Sequence, residues 1–343
     1  MPTSLQKITE PLLMWFDKNK RELPWRRDIE PYHVWISEIM LQQTRIEAVM
    51  RYYTRFMDTL PDVESLSRVP DDTLMKLWEG LGYYSRARNL KKAALHIMQD
   101  CGGQFPRTYA ELIKLPGIGE YTAGAIASIC FNEKVPAVDG NVLRVITRIK
   151  GSRENILLPQ TKKAVSEELR TIMPRHAGAF NEALMELGEL ICLPNGAPLC
   201  DRCPLQPYCT ACHKNLTAEI PVRIKKTKRK AEDRTVFLLR TPDGRLAIEK
   251  RPDSGLLSGL YQLPNVDGFH SDAELKKTLS AWNLSPVSLR FIKDAKHVFT
   301  HIDWYMKGYA AEVEAPNDRF LWVTEEELQF AYPLPTAFKK LLK

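Results

Sequence analysis

Hydrophobic side chains recur three and four positions apart through most of the first 215 residues, which is the spacing of helices that bury one face. The clearest stretch is 33–57, HVWISEIMLQQTRIEAVMRYYTRFM, and others follow at 72–80, 86–99, 108–114, 121–131, 141–150, 160–172 and 178–192. Gly and Pro separate several of these stretches, as at Pro116 to Gly119 and at Gly151. The pattern predicts an all-α region.

The period changes to two after residue 234, which indicates strands. The segments 235–240 and 245–251 flank a Pro-Asp-Gly turn and predict a β-hairpin. More strands are expected at 287–293, 296–302 and 303–313, with helices near 271–282 and 324–330. The expected fold is therefore mainly α, followed by a smaller α+β domain.

A basic segment separates the two patterns, since six of the eight residues 223–230 are Lys or Arg. We expect a helical domain at 1–222, a basic linker at 223–234 and the α+β domain at 235–343. The linker is either a solvated tether or a tether that runs along nucleic-acid phosphates.

The composition is that of a soluble globular protein, with 343 residues, 44% hydrophobic residues and a net charge of +7. The N-terminus lacks the features of a signal peptide, and no segment approaches the roughly 18 apolar residues of a membrane span. We expect a cytoplasmic protein that does not bind a membrane and associates with a bacterial nucleoid. Its thiols should be reduced there.

A turn with two glycines, LPGIG at 115–119, opens a helix rich in small residues. Gly117 and Gly119 would let backbone N–H groups approach an anion, as a helix-hairpin-helix does with a DNA phosphate. The alternative is a plain turn between helices.

Two carboxyl groups stand out. Glu38 lies among Ile36, Ile39 and Met40, and a carboxyl in apolar surroundings can keep a proton near neutral pH and act as a general acid. Asp139 precedes a helical run, VLRVI. From the residues alone, the ordinary interpretation is preferred for both: a solvated helix face for Glu38 and a helix N-cap for Asp139.

Five of the seven cysteines lie between residues 192 and 212. Cys192, Cys200, Cys203 and Cys209 have the spacing C-x7-C-x2-C-x5-C, which suits four thiolates on either an iron–sulfur cubane or a tetrahedral zinc ion. Cys212 is read as a neighbour without a ligand role, with replacement of Cys209 as the alternative.

Five segments in order resemble the MutY-type adenine DNA glycosylases of the endonuclease III helix-hairpin-helix superfamily. They are WISEIMLQQTR, LWEGLGYYSRARNL, LPGIGEYTAGAIAS, VPAVDGNVLRV and GAFNEALMELGELIC, all between residues 25 and 209. The resemblance implies a 4Fe–4S cluster on the four cysteines at 192–209, although the family's first gap is usually six residues. It also implies that a Nudix-like domain follows, and the absence of an Arg-Glu-x-x-Glu-Glu pattern predicts that this domain does not hydrolyse nucleotides.

The resemblance further implies a monofunctional enzyme of base excision repair. Glu38 would protonate the adenine, Asp139 would stabilise the sugar cation or form a transient adduct, and Tyr121 and Asn141 would orient them. Tyr121 stands where endonuclease III has its lysine nucleophile, so no Schiff base can form.

The expected partner is double-stranded DNA that contains A opposite 8-oxoguanine or G, bound by a monomer. By resemblance, the residues that bind DNA or the lesion are Arg26, Gln43, Tyr83, Gly117, Gly119, Phe299, Thr300 and His301. Phe299 to His301 is otherwise an ordinary turn. Two other functions compete: a bifunctional glycosylase for damaged pyrimidines, which Tyr121 opposes, and a non-catalytic DNA-binding iron–sulfur protein, which the two carboxyls oppose.

Overall fold

The computed structural model describes residues 4–224 and 229–342. The chain divides into two compact units, Met1–Arg68 with Arg88–Lys226 and Val69–Ala87 with Thr227–Lys343. The segment 69–87 therefore groups with the C-terminal unit, although it lies within the predicted helical domain. Residues 225–228 of the predicted linker lie outside the described residues. The predicted domain limits stay a prediction.

The N-terminal two thirds of the described chain is helical, as the hydrophobic pattern predicts. Its α-helices are α1 Thr9–Asn19, α2 Pro24–Arg27, α3 Pro31–Leu41, α4 Ile46–Thr59, α5 Val63–Arg68, α6 Asp71–Leu77, α7 Ser85–Asp100, α8 Tyr109–Leu112, α9 Glu120–Phe131, α10 Gly140–Lys150, α11 Pro159–Ile172, α12 Ala177–Leu190 and α13 Thr210–His213. Within the described residues, no helix is long and apolar enough to cross a membrane.

The stretch 33–57 forms two helices rather than the one that its spacing suggests. Helix α3 ends at Leu41 and α4 begins at Ile46. Between them Gln43 takes a φ of 58°, a left-handed conformation that ends a helix. No Gly or Pro marks this break, so the sequence pattern did not reveal it.

The core of the first unit lies between α1, α10 and α12. Phe16 of α1, Val142 and Ile146 of α10, and Phe180 and Leu184 of α12 are almost fully buried in it. Their spacing of four within α10 and α12 places them on one face of each helix. This packing fixes the N-terminal end of α10 and one face of α12, and several site residues lie on these two segments.

The second unit contains a mixed sheet. Its strands are β1 Lys230–Arg240, β2 Leu246–Lys250, β3 Tyr261–Gln262, β4 Asn265–Asp267, β5 Pro286–Val298, β6 Ile302–Val313 and β7 Leu321–Val323. The order is β3-β2-β1-β6-β5, with β4 paired to β1 and β7 to β2. Strands β1 and β6 are parallel, with Val236 opposite Gly308, and the other pairs are antiparallel. Three helices accompany the sheet: α14 Asp272–Ala281, α15 Glu325–Phe330 and α16 Thr336–Leu342.

Alternation along β1 builds a core on each face of the sheet. Val236 and Leu238 pack on one side with Phe338, whereas Phe237 and Leu239 pack on the other. Side chains of a strand point to opposite faces in turn, so a run of five buried residues requires cover on both sides.

Two predictions for this unit need correction. The strands expected at 287–293 and 296–302 are one strand, β5, because a register shift between Phe291 and Lys293 absorbs the break in alternation. The turn that follows comprises residues 299–301. Strand β1 begins at Lys230, so the last five residues assigned to the linker belong to the sheet.

The close contact of α12 with α9 can be tested at Gly178. A Cβ added there would lie 2.7 Å from Ile129 Cα and 2.7 Å from Ser128 O, which are backbone atoms. We expect Gly178→Ala to lower the free energy of unfolding by about 1–3 kcal/mol through overpacking. Gly140→Ala is the matched control, because its added Cβ meets nothing within 4 Å. Thermal unfolding of both variants would contradict the expectation if Gly178→Ala matched the parent.

Candidate active site

A cleft of about 1480 Å³ in the first unit collects all four predicted catalytic residues and three of the eight predicted DNA-binding residues. Glu38 of α3, Tyr121 in the first turn of α9, and Asp139 and Asn141 at the start of α10 line it. Arg26, Gln43 and Gly119 line it too. Residues that are far apart in sequence therefore share one cleft.

Glu38 is a buried acid with one neutral partner. Its side chain is 6% exposed, and the Tyr121 hydroxyl donates to its Oε2 at 2.6 Å. Burial raises the pKa of Glu38 to about 7, and the nearby charge of Glu182 adds to the rise, although the hydrogen bond from Tyr121 acts against it. This carboxyl can therefore exchange a proton at neutral pH.

Asp139 lies in a more polar environment. Its Oδ1 accepts from the Val142 amide at 2.7 Å and caps α10, and its Oδ2 accepts from Asn141 Nδ2 at 2.9 Å. Burial raises the pKa of Asp139, while these donors and the charge of Arg144 act to lower it. The predicted N-cap is confirmed, and it coexists with a place in the cleft.

The hairpin glycines differ in position. Gly119 is the N-cap of α9 and lines the cleft, and a Cβ added there would meet nothing within 4 Å. Gly117 has a φ of 77°, and its added Cβ would lie 2.5 Å from Asn89 Cβ, so it shapes the turn without lining the cleft. The open approach at Gly119 exposes the amide end of a twelve-residue helix.

The sequence reasoning missed a set of acids on α12. Arg26 Nε donates to Glu182 at 2.8 Å, and Arg21 donates to Glu186 through Nε at 2.8 Å and Nη2 at 3.0 Å. Burial acts to raise the pKa of Glu186, but hydrogen bonds from Arg21 and Arg26 outweigh it and lower the pKa to about 2. Glu182, Glu186 and Glu189 all line the cleft. Their spacing of four and three in the sequence could have indicated that the three acids share one face of a helix.

Two family models match the chain. Residues 36–175 match a model described as the HhH-GPD superfamily base excision DNA repair protein, and residues 235–343 match the NUDIX domain. The first match contains Glu38, Tyr121 and Asp139. The second covers the mixed sheet.

Curated relatives match nearly the whole chain. The adenine DNA glycosylase of Rattus norvegicus is 34% identical over 97% of this chain and 76% of its own length. The adenine DNA glycosylase of Buchnera aphidicola subsp. Baizongia pistaciae is 34% identical over 96% of this chain and 94% of its own. The chain belongs to the adenine DNA glycosylase family. It is thus a DNA-binding enzyme of base excision repair, as its resemblance implied.

Solved structures agree with the fold of an adenine DNA glycosylase. A thermostable thymine-DNA glycosylase aligns with a TM-score of 0.56 and 30% identity, over 62% of this chain and 97% of that one. A trapped endonuclease III–DNA covalent intermediate aligns with a TM-score of 0.53 and 25% identity, over 63% of this chain and 100% of that one. Together with the two family models, these structures confirm the helix-hairpin-helix domain and the Nudix-like domain that follows it.

In this adenine DNA glycosylase, none of the seven cysteines forms a disulfide. The four spaced cysteines and Cys212 line one small pocket of about 20 Å³. Among the described residues, no group of three or more His, Cys, Asp or Glu is arranged to hold a metal ion. Arg148 Nη1 donates to Cys192 Sγ at 3.2 Å, so one thiol is already paired with a cation.

Arg144 joins this pocket to the cleft. Its Nε donates to Cys192 O at 2.6 Å, and its Nη2 donates to Asn141 Oδ1 at 2.8 Å. Asn141 in turn donates to Asp139. The cysteine loop and the Asp139 carboxyl are therefore joined through two side chains of one helix.

The second unit brings together only part of the predicted lesion-binding set. The hydroxyl groups of Tyr83 and Thr300 share a hydrogen bond of 3.0 Å, and both residues are exposed. The Phe299 ring packs edge-on against the Trp304 ring, with 4.9 Å between the ring centroids. His301 is exposed in the same turn. Tyr83 has a φ of 47°, so it lies at a sharp break before α7. Gln43 belongs to the other unit.

The raised pKa of Glu38 has a measurable effect on stability. Its pKa is about 7 in the folded protein and about 4.3 when unfolded, so the folded state is destabilised as pH rises between these values and the cost is complete above 7. Glu38→Gln removes this cost of ionising a buried carboxyl. We therefore expect the difference in unfolding free energy, variant minus parent, to be about 3 kcal/mol larger at pH 8 than at pH 4. An equal difference at the two pH values in denaturant titrations would contradict the raised pKa.

Proposed function

We propose that this enzyme excises adenine that is paired with 8-oxoguanine or with G, by hydrolysis of the N-glycosidic bond. The observation that carries the proposal is a protonatable Glu38 and a hydrogen-bonded Asp139 in one cleft. The adenine must leave the helical stack to reach them, which costs a few kcal/mol and is easiest at a mispair.

Glu38 serves as the general acid. Adenine leaves readily only after a ring nitrogen is protonated, and a carboxyl with a pKa of about 7 holds that proton at neutral pH. The Tyr121 hydroxyl, which donates to Oε2, fixes the carboxyl and leaves its other oxygen to face the base.

Asp139 acts on the sugar. The bond breaks through an oxocarbenium-like transition state, as in glycoside hydrolysis, and a carboxylate beside it stabilises the positive charge or forms a transient adduct. The donors from Val142 and Asn141 favour the ionised form of Asp139. Burial raises the pKa of both acids, but the hydrogen bonds that Asp139 accepts act against that rise, so the mechanism assigns the proton to Glu38 and the negative charge to Asp139.

The enzyme should lack lyase activity. Tyr121 lies within hydrogen-bond distance of the acid, at the position that matches the lysine of endonuclease III. A phenol cannot form the Schiff base that leads to strand cleavage.

Thr300 and Tyr83 distinguish 8-oxoguanine from guanine. Guanine presents an acceptor at N7, whereas 8-oxoguanine carries an N–H there. If Thr300 donates to Tyr83, its oxygen can only accept from the base, which favours 8-oxoguanine. Phe299 and His301 support this turn, and Gln43 and Tyr83 enter the duplex beside the lesion.

Away from the reacting base, the protein binds DNA phosphates through backbone N–H groups and positively charged side chains. The hairpin around Gly119 offers the amide end of α9 to a phosphate, and the positive charge of the sequence 223–230 favours contact with further phosphates. The enzyme acts as a monomer in the cytoplasm.

The cysteine loop would hold a 4Fe–4S cluster. Four thiols and an arginine at one pocket fit the thiolate ligands and the N–H···S bonds of such a site. Cys192, Cys200, Cys203 and Cys209 would be the ligands. The cluster would fix the loop, whose Cys192 is contacted by Arg144 and Arg148 of α10, and would take no part in breaking the glycosidic bond.

The proposed reaction is tested in single turnover on a duplex with one A opposite 8-oxoguanine. We expect breakage of the A strand only after alkali. Glu38→Gln should lose excision and keep DNA binding, because it removes the proton and little else. Glu22→Gln is the control, since it makes the same chemical substitution at an exposed residue that lines the same cleft.

Three outcomes would contradict the assignment. Excision by Glu38→Gln at the parent rate would remove Glu38 as the acid. Breakage without alkali would indicate a lyase and contradict the argument from Tyr121. A bound duplex without any product from the parent would favour a binding protein over an enzyme.

Selectivity for the lesion is tested at the hydroxyl pair. Tyr83→Phe frees the Thr300 hydroxyl to donate to guanine N7, so we expect the rate ratio of A opposite 8-oxoguanine to A opposite G to fall. A hydrogen bond of about 0.5–1.5 kcal/mol corresponds to a fall of about 2- to 10-fold. Thr300→Ser keeps the hydroxyl and serves as the control with an unchanged ratio. An unchanged ratio in Tyr83→Phe would remove the pair from lesion recognition.

A further inference from the structure

The segment 69–87 lies early in the chain but belongs to the second unit. The chain passes from the first unit to the second at Val69 and returns to the first at Arg88. The segment contains α6 and carries Tyr83, whose hydroxyl shares a hydrogen bond with that of Thr300. The position of the Tyr83 hydroxyl therefore depends on how this segment is attached to the rest of the second unit.

Glu79 lies two residues after α6 and attaches the segment to the last part of the chain. Its side chain is only 12% exposed. Its Oε1 accepts from the Leu334 amide at 2.7 Å and pairs with Lys339 Nζ at 2.9 Å, and its Oε2 pairs with Lys76 Nζ at 3.0 Å. A nearly buried carboxylate with three donors is held in place, because moving away from them would leave its charge unpaired.

Lys76 of α6 strengthens the same attachment. Its ammonium donates to Leu328 O at 3.0 Å and to Tyr332 O at 3.2 Å, in addition to its pair with Glu79. An ammonium has three N–H donors, so these three acceptors satisfy it fully. Glu79 and Lys76 thus join α6 to α15 and to the stretch between α15 and α16.

The turn that leads from Glu79 to Tyr83 is short and held by its neighbours. Trp78 is fully buried, and its Nε1 donates to Gly82 O at 3.0 Å. Arg86 Nη2 donates to the same carbonyl at 3.1 Å, and its guanidinium lies over the Tyr83 ring, 5.5 Å from the centroid. A shift of Glu79 would therefore be passed on to Tyr83.

Helix α16 also holds the turn 299–301, which carries the other hydroxyl. The Phe299 ring packs against Trp304, and the Trp304 ring packs edge-on against Phe338 of α16, with 5.8 Å between the ring centroids. The next residue of α16 is Lys339, which pairs with the carboxylate described above. One helix thus contacts the supports of both hydroxyls.

We propose that Glu79 is a positioning residue for recognition of the base opposite adenine, because it holds the Tyr83 hydroxyl on Thr300. This inference rests on the proposed discrimination of 8-oxoguanine by that hydroxyl pair. The Glu79 carboxylate is bound to two lysines and an amide of its own unit, so it acts through Tyr83. Without it, Tyr83 moves away and the Thr300 hydroxyl is free to donate to guanine N7.

The test measures single-turnover rates on duplexes with A opposite 8-oxoguanine and with A opposite G. We expect Glu79→Ala to lower the ratio of the two rates by about 2- to 10-fold, as for Tyr83→Phe, because both changes act through one hydrogen bond. Glu79→Gln should give an intermediate ratio, since its oxygen can still accept from the Leu334 amide. Glu326→Ala is the matched control, because it removes the same side chain from an exposed position of α15 and should keep the parent ratio.

A double variant separates positioning from a general loss of structure. Adding Glu79→Ala to Tyr83→Phe should lower the ratio no further, since the hydrogen bond is already absent. Lys339→Ala breaks the same pair at a side chain that is 43% exposed, so it tests the attachment even if Glu79→Ala fails to fold. Its ratio should fall in the same direction. Equal loss of both rates in these variants, or a further fall of the ratio in the double variant, would overturn the role of Glu79.

Failure of this inference is distinguishable from failure of the proposed recognition. A ratio that falls in Tyr83→Phe but not in Glu79→Ala or Lys339→Ala would overturn the role of Glu79 alone. An unchanged ratio in Tyr83→Phe, or a parent that excises A opposite both bases at one rate, would overturn recognition by the hydroxyl pair.

Discussion

The close approach of α12 to α9 and α10 is the constraint on which the cleft depends. Gly178 brings the α12 backbone against Ser128 and Ile129 of α9, and a Cβ at Gly188 would lie 2.6 Å from Asn141 Cβ on α10. Only residues without a side chain permit this separation. Because α9 and α10 both begin at the cleft, the contact sets the separation of Tyr121 and Asp139 and the burial of Glu38 between them.

Within that frame, the distribution of donors separates the protonation states of the carboxyls. The arginines Arg21 and Arg26 hydrogen-bond Glu186, whose pKa is lowered to about 2. Glu38 receives a neutral phenol instead, and burial raises its pKa to about 7. Two carboxyls in one cleft thus differ because arginines hydrogen-bond to Glu186 and not to Glu38. The cleft therefore provides a proton donor, Glu38, together with one acid, Glu186, that stays charged.

Sequence pattern predicted most of the helices and the hairpin of β1 and β2, whereas the resemblance to a known family indicated the residues that meet in the cleft. The pattern failed where tertiary context overrides local signals. It missed the break between α3 and α4, because Gln43 takes a left-handed conformation and no Gly or Pro stands there. The pairing of Tyr83 with Thr300 was equally hidden, since it joins two segments that are far apart in the sequence. The acids of α12 could have been found, because their helical spacing was visible in the sequence.

The cysteine loop matters to the cleft through helix α10. This helix carries Asp139 and Asn141 at its start, Arg144 one turn later and Arg148 one turn further. Arg144 binds Cys192 O, and Arg148 binds Cys192 Sγ, so two successive turns hold the first cysteine. A loop that moved would take away an acceptor of Arg144 and thereby loosen Asn141, which donates to the Asp139 carboxyl. A group bound to the cysteine loop, away from the glycosidic bond, would thus keep the Asp139 carboxylate in place by holding Arg144.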